Sequence, residues 1–541
     1  MTIRDLATLA RAVLLIGGLA LLSPAQARPH HPARRPAVAA VRPKVQPKPV
    51  VAVVPAERPQ PRAFVPAPAE PPVPSPEEEA VDAPPAAHAP AAPPPAAGHT
   101  ATSEELLHLL KTAPGKVTAV GLVVDLVSGK IILDLDSSKP VYPASVAKMF
   151  STAAILRAWP ADKLLTTEVR ASAPVQGGVE TLAIIGGGDP SLRTADLAKL
   201  ADAVKQKGIT HVGKLVIDAT LFDDKLPRGF DEKQTDAAFR APVGGLQVDT
   251  SVLWAAVRPG AVGEPPLVDL TPACGDAAVV RNEARTVKGG KDALTMLTRP
   301  AGRQTELVVQ GTISTTHKVI GSGPRRVADA AVFAGGVFRA LLEKRGIAVK
   351  GETLFGKAPR DLPLLASHDS QQLLKLVQYT NKHSHNGYAE TLYKLNAVAK
   401  ATVPATAEKA EAAVRKSLSD LEIRWQGVQL GNGSGLYHAD KVTCQAVVDL
   451  VRGMAKDGAG ANWRGTLAIG GVDGTLRGRL GGMRGKVQAK TGTLDDVVGL
   501  AGYAEGSHGT YAFAMFFNGV RGGPGAYRAL HDRVLTRLLA D

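Results

Sequence analysis

Pro143-Ala144-Ser145-Val146-Ala147-Lys148 leads into a helix-forming run over residues 149–159, and this stretch sets the chemistry and the architecture of the chain. A serine and a lysine three apart at a helix start lie on one face, so the amine reaches the hydroxyl. If burial keeps the amine neutral, it takes the hydroxyl proton, which makes Ser145 a candidate nucleophile and Lys148 its candidate base. This is the one Ser-x-x-Lys in the sequence. A chain of this length yields about two by chance at average usage, so the motif needs companions.

Two companions follow in order. Asn381-Lys382-His383-Ser384-His385-Asn386 places a Ser-x-Asn in a polar turn between helical stretches. There a hydroxyl relays a proton and an amide holds a substrate carbonyl. Lys490-Thr491-Gly492-Thr493 ends a predicted strand. Its glycine lets a ligand lie close to the backbone, while the lysine and threonines supply a cation and hydroxyls for a carboxylate.

In this order and context, the three motifs resemble those of the active-site serine penicillin-recognising enzymes. The interval from Ser145 to Ser384 is 239 residues and that from Ser384 to Lys490 is 106. So long a first interval is similar to the class C low-molecular-mass penicillin-binding proteins, the D-alanyl-D-alanine carboxypeptidase/endopeptidase family. Also similar are Gly186-Gly187-Gly188-Asp189-Pro190-Ser191-Leu192, Ala241-Pro242-Val243 before Gly245-Leu246, Gly433-Ser434-Gly435-Leu436 and Gly471-Val472-Asp473-Gly474-Thr475-Leu476. The resemblance runs from about Ser103 to the C-terminus.

It implies a serine D-Ala-D-Ala carboxypeptidase/endopeptidase acting on peptidoglycan stem peptides, inhibited by β-lactam antibiotics and needing no cofactor or metal. Ser145 would be acylated with Lys148 as general base. Ser384 would pass the proton to the leaving D-Ala nitrogen, Asn386 would hold the substrate amide, and Lys490 would set the local field and hydrogen-bond Ser384. Thr491 and Thr493, around Gly492, would receive the terminal carboxylate, with the amides of Ser145 and Thr493 as oxyanion hole. The chain departs from the family pattern at Asn432, where Asp is usual, at Tyr437, where Ser is usual, and at Gln247-Val248-Asp249. The first two bear on the edge of the site and the third on the fold. His385, the middle residue of Ser-x-Asn, fits if it points to solvent.

The fold class expected is α+β: a serine β-lactamase/transpeptidase-like domain, an antiparallel sheet flanked by helices, split by a large strand-rich insertion. Thr102-Ser103-Glu104-Glu105 is a capping box that opens a helix. Strands are expected over 117–126 and 130–135, then over 486–490, 497–504 and 510–518 with turns at Thr491-Gly492 and Gly506-Ser507, and a helix over 526–539. Residues 166–363 carry short β-like runs punctuated by glycine, at 181–185, 214–217, 252–257 and 306–309, and form one or two subdomains. The peptidase domain is then 100–165 and 364–541. A surface helix is expected over 401–418.

Residues 1–27 read as a signal peptide: Arg4 and Arg11, an apolar run over 12–22, and Ala25-Gln26-Ala27 as a cleavage site. Eleven apolar residues are short of the ~20 that span a bilayer. Residues 28–99 hold 21 of the 40 prolines and read as a disordered linker. The formal charge of +14 leaves +11 on residues 100–541, spread without an arginine-rich helix, an RNA-binding sheet signature or a Cys/His finger. An exported protein drawn to an anionic cell wall or periplasmic polymer fits this better than a nucleic-acid partner.

Other readings compete. A non-hydrolytic penicillin-binding or wall-binding module would use the linker and the basic surface without turnover. A β-lactamase needs fast deacylation, and no Glu-x-x-Leu-Asn run of the class A kind is present. His383 and His385 have no third metal ligand nearby in sequence, and Asp189 and Asp473 sit in glycine turns that suit backbone capping. Cys274 falls in the insertion and Cys444 in the peptidase part, so two unpaired thiols are expected. Thiol titration of denatured, unreduced protein should count two; a count of zero would show that they pair.

Overall fold

The computed structural model describes residues 102–540 except Gln234. The expected signal peptide and proline-rich linker lie outside the described residues. Among these residues, no helix is long and apolar enough to cross a membrane.

The two ends of the described chain share one antiparallel sheet of six strands, in the order Ala468–Ile469, Val487–Leu494, Val497–Gly506, Gly509–Asn518, Thr118–Asp125, Ile131–Leu135. Its centre shows why one stretch of sequence reads as nearly continuous apolar residues. Along Gly509–Asn518, Ala512, Ala514 and Phe516 enter one core cluster, whereas Phe513, Met515 and Phe517 enter another. Successive strand residues point to opposite faces, so a strand covered on both sides is apolar at every position. On one face lie the helices Ser103–Lys111, opened by the Thr102–Glu105 capping box, and Gly525–Leu538. On the other lies a helical lobe built from Lys148–Ala158, Leu373–His383, Asn386–Ala399, Ala407–Ser417 and Cys444–Lys456.

One strand end and one helix start differ from the sequence expectation. Thr491-Gly492 is not a turn: the strand continues to Leu494, and the reversal is the two-residue Asp495-Asp496 between paired Leu494 and Val497. Gly492 serves close approach here, since a Cβ on it would lie 2.6 Å from the Pro143 carbonyl oxygen. The helix expected from residue 401 begins at Ala407, after Pro404, with Thr406 accepting from the Lys409 amide.

Between the sheet's two halves, His211–Asp218 pairs in parallel with Gly178–Ile185, with the helix Thr194–Gln206 as the crossover. This second sheet is closed by Leu364–Asp369 pairing with Thr166–Ala171, so its last strand lies beyond residue 363, where the insertion was expected to end. Two smaller four-stranded sheets, around Gln304–Ser314 and Val252–Arg258, complete the region. Gln247 is buried and donates to the Thr391 hydroxyl on the helix Asn386–Ala399 (3.0 Å), which ties the inserted region to the helical lobe. Cys274 and Cys444 are buried and unpaired, in separate cores.

One glycine bears directly on the site. Gly435 has φ +73°, and a Cβ there would lie 1.8 Å from the Ala144 carbonyl oxygen, next to Ser145. The left-handed φ alone costs a side chain about 1 kcal/mol, and the collision displaces the Ser145 turn. Gly435→Ala should lower the melting temperature and cut acylation of Ser145 at least tenfold; unchanged melting and acylation would contradict this packing.

Candidate active site

Ser145 lies in a single 3-10 turn, Ala144–Ala147, that runs straight into the helix Lys148–Ala158. Ala144 before it has φ +48°, a conformation that costs an alanine energy and recurs where a functional group must be aimed. The serine is half-buried at the edge of a cleft of about 550 Å³ lined by Phe239, Asn386, Leu436, Tyr437 and Thr493, among others.

One turn below, Lys148 is fully buried. Its amine nitrogen is 2.7 Å from Ser145 Oγ, 2.8 Å from Asn386 Oδ1 and 2.7 Å from the Ser434 carbonyl oxygen. Burial pushes the amine down to about 7, against the opposing charges of Glu390 and Asp440. The ammonium form has three N–H groups for three oxygens. The neutral form has two, and its lone pair can then face the serine hydroxyl.

The Ser-x-Asn segment bridges the helices Leu373–His383 and Asn386–Ala399. Ser384 takes the left-handed conformation (φ 60°) that ends the first helix and turns the chain into the second. Its hydroxyl accepts from Lys490 Nζ at 2.9 Å, and Lys490 also donates to the Thr491 carbonyl at 2.9 Å. Lys490 is fully buried; desolvation first, then the nearby Lys148 charge, hold it well below an ordinary lysine. Thr491 shares a hydroxyl contact with Thr475 (2.9 Å), and Thr493 Oγ1 accepts from Arg528 (3.1 Å). The structure thus brings the five residues together as two hydrogen-bonded groups, Lys148 with Ser145 and Asn386, and Lys490 with Ser384, close enough that the Lys148 charge lowers Lys490, with Thr491, Gly492 and Thr493 on the strand that carries Lys490.

His385 is part-exposed, and its ring is engaged by the protein rather than free in solvent. Its Nδ1 accepts from the Tyr388 amide (3.3 Å) as the N-cap of the second helix, and its ring packs on Tyr379 and Tyr388. Burial pushes it down to about 3, in keeping with an imidazole that must accept. Asp189 accepts from the Ser191 amide and hydroxyl, and Asp473 from the Ile469 amide while pairing with Lys382. Both are turn-capping groups.

Several groups at the site have no motif of their own. Glu390 holds the Gly433 and Ser434 amides (2.9 and 2.8 Å). Asn432 Oδ1 accepts from the Gly435 amide (2.8 Å), while its Nδ2 donates to the Arg228 and Leu436 carbonyls (2.9 and 3.1 Å). An aspartate at 432 would face those two carbonyls with no proton to give. Asn386 Nδ2 donates to the Phe239 carbonyl (3.0 Å) of the inserted region. Arg528 brings the guanidinium beside Thr493; an isolated arginine on an amphipathic helix carries no sequence signal.

The sequence profile of the D-Ala-D-Ala carboxypeptidase 3 (S13) family matches residues 104–535. A D-alanyl-D-alanine carboxypeptidase of Actinomadura sp. (strain R39) is 35% identical over 445 residues, covering 78% of this chain and 81% of the relative. The D-alanyl-D-alanine carboxypeptidase DacB of Haemophilus influenzae is 26% identical over 405 residues, 72% of this chain and 83% of the relative. In fold, the chain superposes on the crystal structure of penicillin binding protein 4 (dacB) from Haemophilus influenzae with TM-score 0.70 and 24% identity, over 81% of this chain and 99% of that one.

The lowered lysine sets a pH dependence. Lys148 loses its proton as pH rises through about 7, and only the neutral amine can accept one. The second-order rate of Ser145 acylation by a β-lactam should rise about tenfold per pH unit below 7 and level off above it. A flat profile between pH 5.5 and 8 would exclude Lys148 as the base.

Proposed function

The chain belongs to the D-Ala-D-Ala carboxypeptidase 3 (S13) family, and from that premise we propose how its residues serve a serine D-alanyl-D-alanine carboxypeptidase acting on peptidoglycan stem peptides. The observation that carries the assignment is the buried Lys148 amine, hydrogen-bonded at once to Ser145 and Asn386.

Lys148 takes the Ser145 proton as Oγ attacks the carbonyl of the penultimate D-Ala. The Ser145 and Thr493 amides receive the oxyanion, and Asn386 holds the substrate amide. Ser384, in contact with Lys490, delivers a proton to the departing nitrogen and is reprotonated with the proton that Lys148 took from Ser145, which restores the neutral amine; the C–N bond breaks and D-Ala leaves with an acyl-Ser145 ester behind. Thr491 and Thr493 bind the terminal carboxylate, and Arg528 adds charge beside Thr493. Water then attacks the ester, gives a proton back to Ser145, and frees the shortened peptide. A β-lactam enters the same first step, its ring amide standing for the D-Ala-D-Ala bond. The same chemistry cuts a D-Ala cross-link if the cleft admits the second peptide.

Residues 100–165 and 364–541 would form the peptidase domain, interrupted by the strand-rich insertion, except that Leu364–Asp369 pairs into the insertion's sheet. The leader over 1–27 and the basic excess on the folded part support export to the periplasm or cell wall, where an anionic polymer attracts it. Mass spectrometry after penicillin treatment should find one adduct on Ser145, absent in Ser145→Ala, and Lys148→Ala should slow its formation by about 10²- to 10⁴-fold. Chromatography of digested muropeptides should show released D-Ala from pentapeptide monomers. Sacculus binding that survives Ser145→Ala without D-Ala release would favour the wall-binding reading, and rapid nitrocefin turnover a β-lactamase.

A further inference from the structure

Glu390 lies four residues after Asn386 on the helix Asn386–Ala399, so the two share a face, yet the mechanism above does not use it. It is buried, with 1% of its surface exposed. Oε2 accepts from the Gly433 amide at 2.9 Å and Oε1 from the Ser434 amide at 2.8 Å. Donors on both oxygens suit a carboxylate rather than an acid. Burial raises the carboxyl, while those bonds and Lys148 pull it back.

The backbone that Glu390 holds runs directly into the Ser434 carbonyl, 2.7 Å from Lys148 Nζ. Asn432 pins the other end of that peptide through the Gly435 amide. A neutral amine surrounded by three oxygens must choose which one meets its lone pair. If the Ser434 carbonyl swings away, the amine is free to donate to Ser145 instead, and a donor cannot take the hydroxyl proton.

We propose that Glu390 is a positioning residue for acyl transfer: by fixing the Gly433-Ser434 backbone it aims the Ser434 carbonyl at Lys148, so that the amine directs its two N–H groups to Ser434 and Asn386 and its lone pair to Ser145. This rests on the reading of Ser145 and Lys148 as nucleophile and base.

Glu390 has a second, electrostatic consequence. The charged and titratable groups around Lys148 are Glu390 on the helix Asn386–Ala399, Asp440 on the loop after Ser434, Lys490 on the strand Val487–Leu494 and His385 on the Ser-x-Asn turn. Asp440 is pushed up to about 8 by burial, and His385 is neutral throughout the working range. With a backbone N–H donating to each of its oxygens, Glu390 is taken as the ionised carboxylate, and its charge opposes deprotonation of Lys148. Removing its charge moves the acid limb of the acylation profile to lower pH, whereas a purely structural residue would leave the limb in place.

The test measures penicillin acylation of the full chain against pH for the wild type, Glu390→Gln and Glu390→Asp. Glutamine offers one acceptor and one donor to two backbone N–H groups, so the plateau rate should fall at least tenfold and the limb should move down by about one pH unit. Aspartate keeps the charge, and its limb should stay at the wild-type pH while its rate falls. A folded Gln variant with the wild-type rate and limb overturns the proposal, as does an equal loss of rate in both variants with neither limb moved. Should neither variant fold, isotope-edited infrared spectroscopy of the wild-type glutamates decides: an ionised Glu390 between pH 5.5 and 8 supports the proposal and a protonated one overturns it. Failure of the wild type itself to form an adduct on Ser145 would instead strike the proposed function.

Discussion

The site depends on keeping one amine dry. An ordinary lysine is charged at neutral pH, and Lys148 is held at about 7 by burial. Because the unfolded chain binds more protons than the folded one, this costs stability below about pH 10.5, by about 4 kcal/mol near pH 7 and more in acid. Part of that cost is offset by placing hydrogen-bond acceptors where water would have been: the Asn386 side chain and the Ser434 carbonyl. Those acceptors come from separate segments more than 200 residues along the chain from Lys148, so the amine is a junction of the helical lobe. The sheet contributes the last wall, through Lys490 and the close contact of Gly492 with Pro143.

Two lysines in one small volume explain a further feature. Lys490 is lowered chiefly by burial and further by the Lys148 charge. Separate hydrogen bonds keep them apart in role: Lys148 meets Ser145 and Asn386, whereas Lys490 meets Ser384 and the Thr491 carbonyl. Neither serine needs a histidine, and His385, which stands between Ser384 and Asn386 in sequence, is occupied in capping a helix.

What the sequence revealed and what it hid divide along physical lines. Side chains that do chemistry must be of a fixed type at a fixed spacing, so Ser145, Lys148, Ser384, Asn386 and Lys490 were legible, and so were the doubly covered strands, through their apolar runs. Backbone groups leave no such trace. The Ser434 and Phe239 carbonyls could be any residue's, and Glu390 reads as one glutamate on a helix until its partners are seen. Gly492 was misread for a related reason: glycine favours turns, but here it lets Pro143 approach a continuing strand.

The helix Asn386–Ala399 shows why the inserted region is part of the catalytic architecture and more than a separate lobe. One of its faces carries Asn386 and Glu390 to Lys148 and the Ser434 loop. Other residues along it are gripped from the insertion: Asn386 by the Phe239 carbonyl, Thr391 by Gln247, and Lys394 by Asp223 through a partly buried ion pair of 2.5 Å. The Ser434 loop is held in the same way, by Asn432 reaching the Arg228 carbonyl. A change in how the insertion seats on the lobe would thus move Asn386 and the Ser434 carbonyl together. Because these are the two oxygens besides Ser145 that the Lys148 amine meets, the insertion bears on the proposed base as well as on the cleft, which Phe239 helps to line.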